Sequence, residues 1–323
     1  MKAVVLEKPC TAEELTVKEV PIPKVKPGWV LIKIKAFGIN RSELFTRQGD
    51  SPDVKLPRII GIECAGEVYD SSDSSFKKGQ RVVSLMGGLG RDFDGSYAEY
   101  ALIPSNQVYP IENDMSWVEL AAIPEMYYTV YASLFDALKL VKGESLLIRG
   151  GTSSVGLAAL QLAKSAGATV VSTTRNENKI ELLKQRGADF VLLDNENLSE
   201  NLLSIFPEGI NKILELVGTV TLKNSLKLLS EHGILCMTGI LGGKWTLESF
   251  EPMIDIPSGT YFTTFTSTPV KEKTLLEVFD YITQYKIEVP IARIFSLDDI
   301  SKAHLLMESN TANGKIVVVN PDS

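Results

Sequence analysis

A glycine-rich turn at residues 150–156 (GGTSSVG) has the residue types of a phosphate-binding loop. It follows a short apolar run at 145–149, typical of a buried parallel strand, and precedes a segment with helical apolar periodicity that ends at Gly167. A second apolar run at 168–174 predicts another strand. The N-terminus of a helix offers free backbone N–H groups and the positive end of its dipole to a pyrophosphate. This strand–turn–helix–strand order therefore predicts a dinucleotide-binding site.

The glycine pattern departs from the G-x-G-x-x-G fingerprint at its middle position. Gly151 and Gly156 match the outer glycines, whereas Ser153 stands where the second glycine lets the backbone approach the phosphates. A serine is small and its hydroxyl could donate a hydrogen bond to a phosphate oxygen, so nucleotide binding stays the prediction. An ordinary structural turn is the alternative interpretation.

The end of the second predicted strand distinguishes between the two nicotinamide dinucleotides. Proteins that bind NAD usually place an Asp or Glu there for the ribose 2′-OH. This chain instead carries hydroxyl groups and two cations: Ser172, Thr173, Thr174, Arg175 and Lys179. A 2′-phosphate binds hydroxyl donors and positive charge and is repelled by an acid, which favours NADPH. Two features leave the choice open, because Arg175 and Lys179 could be an ordinary solvated helix start and Asp194 could also approach this pocket.

The composition is that of a globular protein without a strong charge bias. The chain has 323 residues and a formal net charge of −7 with interspersed signs, which argues against a nucleic-acid-binding surface. Its cysteines, Cys10, Cys64 and Cys236, have neither disulfide-framework nor metal-site spacing. The first residues resemble a strand rather than a secretory signal, and no apolar run approaches the length of a membrane span. We therefore expect a cytoplasmic protein that binds neither nucleic acid nor membrane.

Two kinds of hydrophobic pattern divide the chain. Residues 1–121 are rich in short strands with alternating apolar residues, as in 29–37 (WVLIKIKAF). From 122 to 267, apolar runs alternate with helical segments, which is typical of a doubly wound parallel sheet. Residues 268–323 contain shorter elements, with a helix expected at 270–285, and suggest a return to the first domain. The pattern predicts an α/β protein in which a β-rich domain surrounds a central dinucleotide-binding domain.

Seven short segments in a fixed order carry a family resemblance: MKAVV at the start, GINRSE at 38–43, GIECAGEV at 61–68, DGSYAEY at 94–100, PEMYYT at 124–129, GGTSSVG at 150–156 and NGKIVVV at 313–319. Their order and spacing resemble the medium-chain dehydrogenase/reductase superfamily, specifically its zinc-independent quinone oxidoreductase (zeta-crystallin-like) branch. The resemblance implies a GroES-like β-rich catalytic domain at 1–121 and 268–323 and a Rossmann domain at 122–267. It also implies a homodimer, for which the β-branched and aromatic residues of 261–267 predict a pairing edge strand.

The resemblance assigns roles to individual residues. Asn40 matches the family's asparagine near the nicotinamide and would orient the nicotinamide or the substrate, and Thr129 matches a threonine on the nicotinamide side of the cofactor. Either residue could equally be a helix or turn cap. The remaining positions would bind the cofactor, with Ser153, Ser154, Val155 and Gly156 at the pyrophosphate and Gly239, Ile240 and Leu241 beside the nicotinamide. Phe45 replaces a tyrosine that the family often has, and Tyr127 or Tyr128 could compensate for the missing phenol.

The metal ligands of zinc-dependent relatives have no clear counterpart in this sequence. A catalytic zinc needs converging Cys, His or carboxylate ligands, and a structural zinc usually needs four thiolates. The chain has three Cys and two His, all far apart in sequence. Where zinc alcohol dehydrogenases carry a Cys and a Gly-His-Glu, this chain has Asn40 and Gly61-Ile62-Glu63. We therefore expect no metal.

Hydride delivery to an already electrophilic acceptor is chemistry that needs no metal. A quinone or the β-carbon of an enone becomes a stabilised hydroquinone or enolate anion, and solvent can supply the proton. His232, at a predicted helix C-terminus, and His304, on a predicted helix, are expected to be structural. The sequence therefore predicts an NADPH-dependent reductase of quinones or α,β-unsaturated carbonyls that holds its reactants in near-attack geometry.

Two other functions are compatible with the same sequence. A 2-enoyl thioester reductase would need a basic cleft mouth for the carrier, for which the candidates are Arg41, Arg47, Lys55 and Arg58. A non-catalytic NADPH-binding redox sensor would share the fold. Fold alone does not separate these functions, whereas consumption of NADPH by an electrophile does.

Overall fold

The computed structural model describes residues 1–72 and 75–321, which form two compact units. Unit 1 contains Met1–Glu125, Ser267–Leu276 and the described residues from Val289 onward. Unit 2 contains Met126–Thr266 and Glu277–Glu288. Unit 1 thus contains residues from both ends of the chain, and residues 277–288 belong with unit 2.

Short strands dominate the N-terminal part of unit 1. They are β1 (Lys2–Leu6), β2 (Val17–Glu19), β3 (Trp29–Ile39), β4 (Arg58–Ile59), β5 (Glu63–Ser71), β6 (Arg81–Leu85), β7 (Tyr100–Pro104) and β8 (Tyr109–Pro110). The helices are α1 (Arg41–Gln48) and α2 (Trp117–Ala122), and a third helix, α3 (Pro124–Tyr131), begins at the end of this part and continues into unit 2. The helix predicted near 124–139 therefore begins at its proline, and beyond α3 it continues as a π-helical segment, Ala132–Ala137.

The middle of the chain forms a six-stranded parallel sheet. Its strands are β9 (Ser145–Arg149), β10 (Thr169–Thr174), β11 (Phe190–Leu193), β12 (Ile210–Glu215), β13 (Leu229–Met237) and β14 (Tyr261–Thr264). The helices of this part are α4 (Ser154–Ser165), α5 (Ile180–Gln185), α6 (Leu198–Ile205), α7 (Thr219–Leu226), α8 (Pro252–Asp255) and α9 (Glu272–Tyr285).

The strand order β11-β10-β9-β12-β13-β14, with every neighbouring pair parallel, confirms the doubly wound sheet. From β9 the chain adds β10 and β11 on one side, and it then returns to add β12 on the other. The carboxyl ends of β9 and β12 therefore flank the topological switch point, where ligands bind in sheets of this class.

Residues 277–288 join unit 2 because α9 carries aromatic side chains that pack there. The hydroxyl of Tyr281 accepts a hydrogen bond from Ser165 at 3.0 Å, and its ring lies 5.7 Å from that of Tyr131. The sequence pattern assigned this segment to the first domain because the amphipathic period of a helix does not say which surface the helix covers.

The end of the chain completes unit 1 with β15 (Ile291–Ser296), α10 (Ile300–Glu308) and β16 (Lys315–Val319). The two strands join a seven-stranded sheet of order β15-β16-β3-β5-β6-β8, in which β7 also pairs with β3. Strand β16 runs antiparallel to β3 with Ile316 opposite Ile39. This register brings Lys315 beside Asn40, although the two residues are far apart in sequence.

Each unit has its own apolar core. In unit 1 the core surrounds β3 and includes Ile32, Phe37 and Val318, and in unit 2 it includes Leu147 and Ile213 from adjacent central strands. Among the described residues, no helix combines the length and the apolar character that crossing a membrane requires.

Candidate functional site

The glycine-rich turn lies between β9 and α4, beside the switch point of the parallel sheet. Gly150 has φ +91°, in the left-handed region that favours glycine. A Cβ on Gly156 would come within 2.6 Å of the Gly150 carbonyl oxygen, and a Cβ on Gly151 would collide with Oγ of Ser172. These glycines therefore allow α4 to begin in direct contact with the turn.

Ser153 is the N-cap residue of α4. Its Oγ accepts a hydrogen bond from the Gly156 N–H at 3.0 Å and donates one to the Gly150 carbonyl at 2.8 Å. The Ser153 hydroxyl, which was expected to contact a phosphate, therefore closes the turn instead. Within the described part of the chain, the N–H groups of Ser154 and Val155 meet no acceptor, and they lie at the positive end of the α4 dipole. Two such amides fit a pyrophosphate.

Thr173 and Thr174 lie at the carboxyl end of β10 with their hydroxyls engaged. Thr173 is fully buried, and its Oγ1 accepts the Gly150 N–H at 3.1 Å. Oγ1 of Thr174 accepts the N–H of a residue in the following turn at 3.1 Å. Arg175 is exposed, and Lys179 is half-buried, where burial lowers its pKa. The threonines thus hold the turn, and the positive charge at this strand end comes from Arg175 and Lys179.

Asp194, the carboxylate that could have contacted a ribose 2′-OH, forms an ion pair with Arg149. Arg149 is the last residue of β9, and its Nε and Nη2 donate to the two carboxylate oxygens at 3.0 and 2.6 Å. The two side chains are only 5% and 10% exposed. This bidentate geometry is the strongest that a carboxylate and a guanidinium form. Asp194 is therefore committed to Arg149.

Arg149 extends this pair into a network that the sequence reasoning missed. Its Nη1 donates to Asn224 at 2.8 Å and to Ser225 at 2.9 Å. Ser225 in turn donates to Oε2 of Glu215 at 2.5 Å, and burial raises the pKa of that carboxyl group. The sequence feature that could have indicated this network is an arginine and a glutamate at the ends of two otherwise mainly apolar strands.

Asn40 lies between β3 and α1 as the N-cap residue of the helix. Its backbone N–H donates to Oε2 of Glu43 at 3.0 Å, which is one half of a capping box. Besides its part in the cap, the side-chain amide of Asn40 has partners elsewhere in unit 1. The cap role and a functional role are therefore compatible.

The Asn40 amide, Glu63 and Lys315 form a cluster in unit 1. Nζ of Lys315 donates to Oδ1 of Asn40 at 2.5 Å and lies 2.6 Å from Oε1 of Glu63. Nδ2 of Asn40 donates to that same Glu63 oxygen at 2.9 Å. The other Glu63 oxygen accepts the N–H of Glu125 at the start of α3, at 2.8 Å. The motifs that marked the family contain Glu63 and Lys315, but nothing in the sequence indicated that the two meet.

Glu43 is a second carboxyl group beside Asn40. It is 1% exposed, and its Oε1 accepts the N–H of Ile62 at 3.2 Å. Burial raises the pKa of Glu43 to about 8, against the opposing effect of the Lys315 charge. Glu43 is therefore protonated at neutral pH, which leaves the Glu63–Lys315 pair without a second negative charge next to it.

Asn40 and Glu63 occupy the positions that the sequence aligned with metal ligands of zinc alcohol dehydrogenases. Within residues 1–72 and 75–321, no three His, Cys, Asp or Glu side chains are grouped so that they could hold a metal ion. The charge facing Glu63 is the ammonium of Lys315.

The other residues implied near the nicotinamide lie in unit 2. Thr129 is 7% exposed on α3, and Gly239, Ile240 and Leu241 follow β13. A Cβ on Gly239 would lie 2.5 Å from the carbonyl oxygen of Leu216, and the Leu241 N–H donates to that oxygen at 3.0 Å. These contacts place this segment against the carboxyl end of β12, next to the switch point.

The two tyrosines that could compensate for Phe45 are buried. Tyr127 is fully buried, and its hydroxyl donates to Gln161 at 3.1 Å. Tyr128 is 2% exposed, and its ring lies 6.4 Å from that of Phe265. Packing within unit 2 accounts for the position of both rings.

The two histidines have different environments. His304 is fully buried in unit 1, where Nε2 lies 2.8 Å from the hydroxyl of Tyr97 and burial lowers the pKa of the imidazole to about 3. The prediction of a helix C-terminus at His232 is wrong, because α7 ends earlier and His232 lies in β13 with φ +61° and an exposed side chain. The sequence pattern predicted too long a helix, because the next strand, β13, already begins at Leu229, which pairs with Ile210 of β12.

The basic residues considered for a thioester carrier mostly have partners within unit 1. Arg47 is 1% exposed and forms an ion pair with Glu308. Arg41 donates to a carbonyl group of the chain at 3.4 Å, and Arg58 pairs with a carboxylate at 3.0 Å. Lys55 is exposed. The set therefore gives little support to a carrier-binding mouth.

Known proteins resemble this chain over nearly its whole length. A family model described as an alcohol dehydrogenase GroES-like domain matches residues 26–113, and one described as a zinc-binding dehydrogenase matches residues 154–280. The chain is 32% identical over 312 residues to a quinone oxidoreductase of Lama guanicoe, covering 93% of this chain and 92% of that one. The human quinone oxidoreductase is 31% identical over 313 residues, covering 93% and 91%. A mycobacterial structure complexed with NADPH has a TM-score of 0.88 at 25% identity and covers 99% of both chains.

Proposed function

Because the chain belongs to the quinone oxidoreductase branch of the medium-chain dehydrogenase/reductase superfamily, we propose that it transfers hydride from NADPH to a quinone or an α,β-unsaturated carbonyl compound without a metal. One observation carries the choice of cofactor. The strand end that receives the adenosine ribose in such sheets bears Arg175 and Lys179, while Asp194 is held by Arg149.

Unit 2 offers groups for each polar part of NADPH. The open N–H groups of Ser154 and Val155 would bind the pyrophosphate, in a turn shaped by Gly151, Ser153 and Gly156. Arg175 and Lys179 would bind the 2′-phosphate, with the turn held by Thr173 and Thr174. The nicotinamide would lie along Thr129, Gly239, Ile240 and Leu241. When bound, NADPH supplies the hydride and leaves as NADP⁺.

The acceptor completes the reaction without an acid on the protein. A quinone that takes the hydride with its electron pair becomes a hydroquinone monoanion, and an enone attacked at its β-carbon becomes an enolate. Either anion is delocalised and takes one proton from water to give the product. Asn40 and Thr129 would contribute by holding the reactants in near-attack geometry.

The Asn40 cluster supports the metal-free part of the proposal. Zinc binds thiolate, imidazole or carboxylate ligands. Here the amide oxygen of Asn40 accepts from Lys315, and the carboxylate of Glu63 faces the same ammonium. Because the Lys315 ammonium lies 2.6 Å from this carboxylate, electrostatic repulsion disfavours the binding of a divalent cation to Glu63.

Turnover of NADPH and NADH with ortho-quinone, para-quinone, enone and enoyl thioester acceptors tests the proposed function. We expect NADPH oxidation with a quinone or enone, unchanged after chelator treatment. Arg175→Ala is expected to raise the KM for NADPH about tenfold, one lost charge-assisted contact, with the KM for NADH unchanged. Arg293→Ala, which removes an exposed arginine of unit 1, is the matched control and should change neither constant.

Each alternative function has its own outcome in this assay. Faster turnover of NADH contradicts the choice of cofactor, and loss of activity on chelation contradicts the metal-free mechanism. Preference for the enoyl thioester indicates a thioester reductase. NADPH binding without turnover of any acceptor indicates a redox sensor.

We also infer a homodimer formed through β14. This strand is last in the order of the parallel sheet. Apolar side chains of β14 and of α8, the helix before it in sequence, are unusually exposed: Met253 by 96%, Ile254 by 71% and Tyr261 by 57%. Ile254→Glu is expected to convert a dimer to a monomer in light scattering after gel filtration. Val141→Glu, which alters another exposed apolar residue of unit 2, should leave the dimer intact. A monomeric wild-type protein contradicts this inference.

A further inference from the structure

The ion pair between Lys315 and Glu63 is fully buried, with side chains that are 1% and 0% exposed. Taking two charges out of water costs several kcal/mol per ion, and their attraction offsets this only with good geometry and additional hydrogen bonds. Well-packed apolar side chains often stabilise such a place equally well or better. Stability therefore does not explain why the pair is buried, and its contacts indicate another role.

Gly38 makes room for this pair within the sheet. A Cβ at this position of β3 would collide with Oε1 of Glu63 and with Cε of Lys315. The glycine therefore allows both charged side chains to meet next to Asn40, which lies two residues further along the chain.

The partners of the Asn40 amide determine which way it faces. An ammonium only donates, so Lys315 must face Oδ1, and a carboxylate only accepts, so Glu63 must face Nδ2. The observed distances of 2.5 and 2.9 Å agree with this arrangement. Turning the amide by half a rotation would set its NH2 group against the ammonium and its oxygen against the carboxylate. The amide therefore has one stable orientation.

We propose that Lys315 and Glu63 are positioning residues that hold the Asn40 amide in this single orientation toward the nicotinamide or the acceptor. This inference rests on the proposed function, since it assumes that Asn40 contacts a reactant. The ammonium also draws electron density from Oδ1, which strengthens Nδ2 as a donor. Nδ2 also donates to Oε1 of Glu43 at 3.4 Å, and this long contact is the one that a reactant would replace.

A double-variant cycle on kcat tests this role. Asn40→Ala and Lys315→Met are each expected to lower kcat about 10- to 100-fold. Because both act through one amide, the double variant is expected to be no slower than Asn40→Ala. Glu63→Gln, a neutral isostere, should follow the same pattern and serves if Lys315→Met does not fold. Lys35→Met is the matched control, since Lys35 is a buried lysine of β3 that pairs with Glu67 at 3.5 Å, and it should leave kcat unchanged.

The orientation of the amide has a readout that does not depend on turnover. In protein with isotope-labelled asparagine, the side-chain NH2 signals of Asn40 are those that vanish in Asn40→Ala. We expect these NMR signals to shift in Lys315→Met and Glu63→Gln and to stay in place in Lys35→Met. Unshifted signals, or kcat losses that multiply in the double variant, would overturn the proposal. Shifted signals in a protein that turns over no acceptor would refute the proposed function and retain the orienting role.

Discussion

Arg149→Met will lower the free energy of unfolding by about 3 to 5 kcal/mol. Arg149 is 4% exposed, and its guanidinium donates to Asp194, Asn224 and Ser225. Methionine fills much of the same volume but leaves the side chain of Asp194, 10% exposed, without its cation. An uncompensated buried charge costs more than the pair contributed, which is why the loss is large. Urea unfolding followed by circular dichroism measures it.

Two further variants separate the buried charge from other effects of the Arg149 substitution. Arg149→Met/Asp194→Leu removes both charges and should recover about half of the loss. Arg175→Met removes an exposed arginine of the same unit and should change the free energy of unfolding by less than about 0.5 kcal/mol. A loss below about 1 kcal/mol in Arg149→Met would contradict the assignment of this network as a major support of unit 2.

Glu43→Gln will remove a component of stability that depends on pH. Burial raises the pKa of Glu43 in the folded protein to about 8, from an ordinary value of 4.5. Between these values the folded state keeps a proton that the unfolded state releases, so this component of stability falls as pH rises and levels off above about 8. Its size is on the order of 4 kcal/mol. Glutamine has nearly the shape of the protonated acid and does not titrate.

Urea unfolding at about pH 5 and about pH 8.5 measures this component. Wild type should lose more stability between the two conditions than Glu43→Gln, and at the higher pH the variant should be the more stable protein. Glu13→Gln, which alters an exposed glutamate of the same unit, should keep the wild-type dependence. Equal dependence in wild type and Glu43→Gln would show that Glu43 is ionised in the folded protein at neutral pH.

The fold class and the family were determined by features that lie close together in sequence. The apolar run at 145–149, the glycines at 150, 151 and 156 and the helix after them form one local unit, so residue types and periodicity predict it. The alternation of strands and helices from 122 to 267 predicted the doubly wound sheet in the same way. The structure and the family matches confirm both.

The hydrogen-bond partners of side-chain hydroxyls could not be predicted from the local sequence. The sequence placed the hydroxyls of Ser153 and Thr173 at the correct turn and strand end. It did not predict that Gly156 and Gly150 donate to them in the folded chain. A hydroxyl can serve a ligand or the backbone equally well by chemistry, and only the packed backbone determines which partner is within reach.

The buried charges were decided by tertiary structure alone. Asn40 and Lys315 meet across 275 positions because β16 pairs with β3 in one register. Arg149 meets Asp194 across 45 positions because β9, which ends at Arg149, and β11, which ends just before Asp194, belong to the same sheet. A shift of one residue in the β16–β3 register would turn Lys315 to the opposite face of its sheet. Residue types and local hydrophobic periodicity determined the doubly wound fold of the central part of this protein. Strand pairing determined which charged groups meet, because such contacts depend on a long-range register that no local pattern encodes.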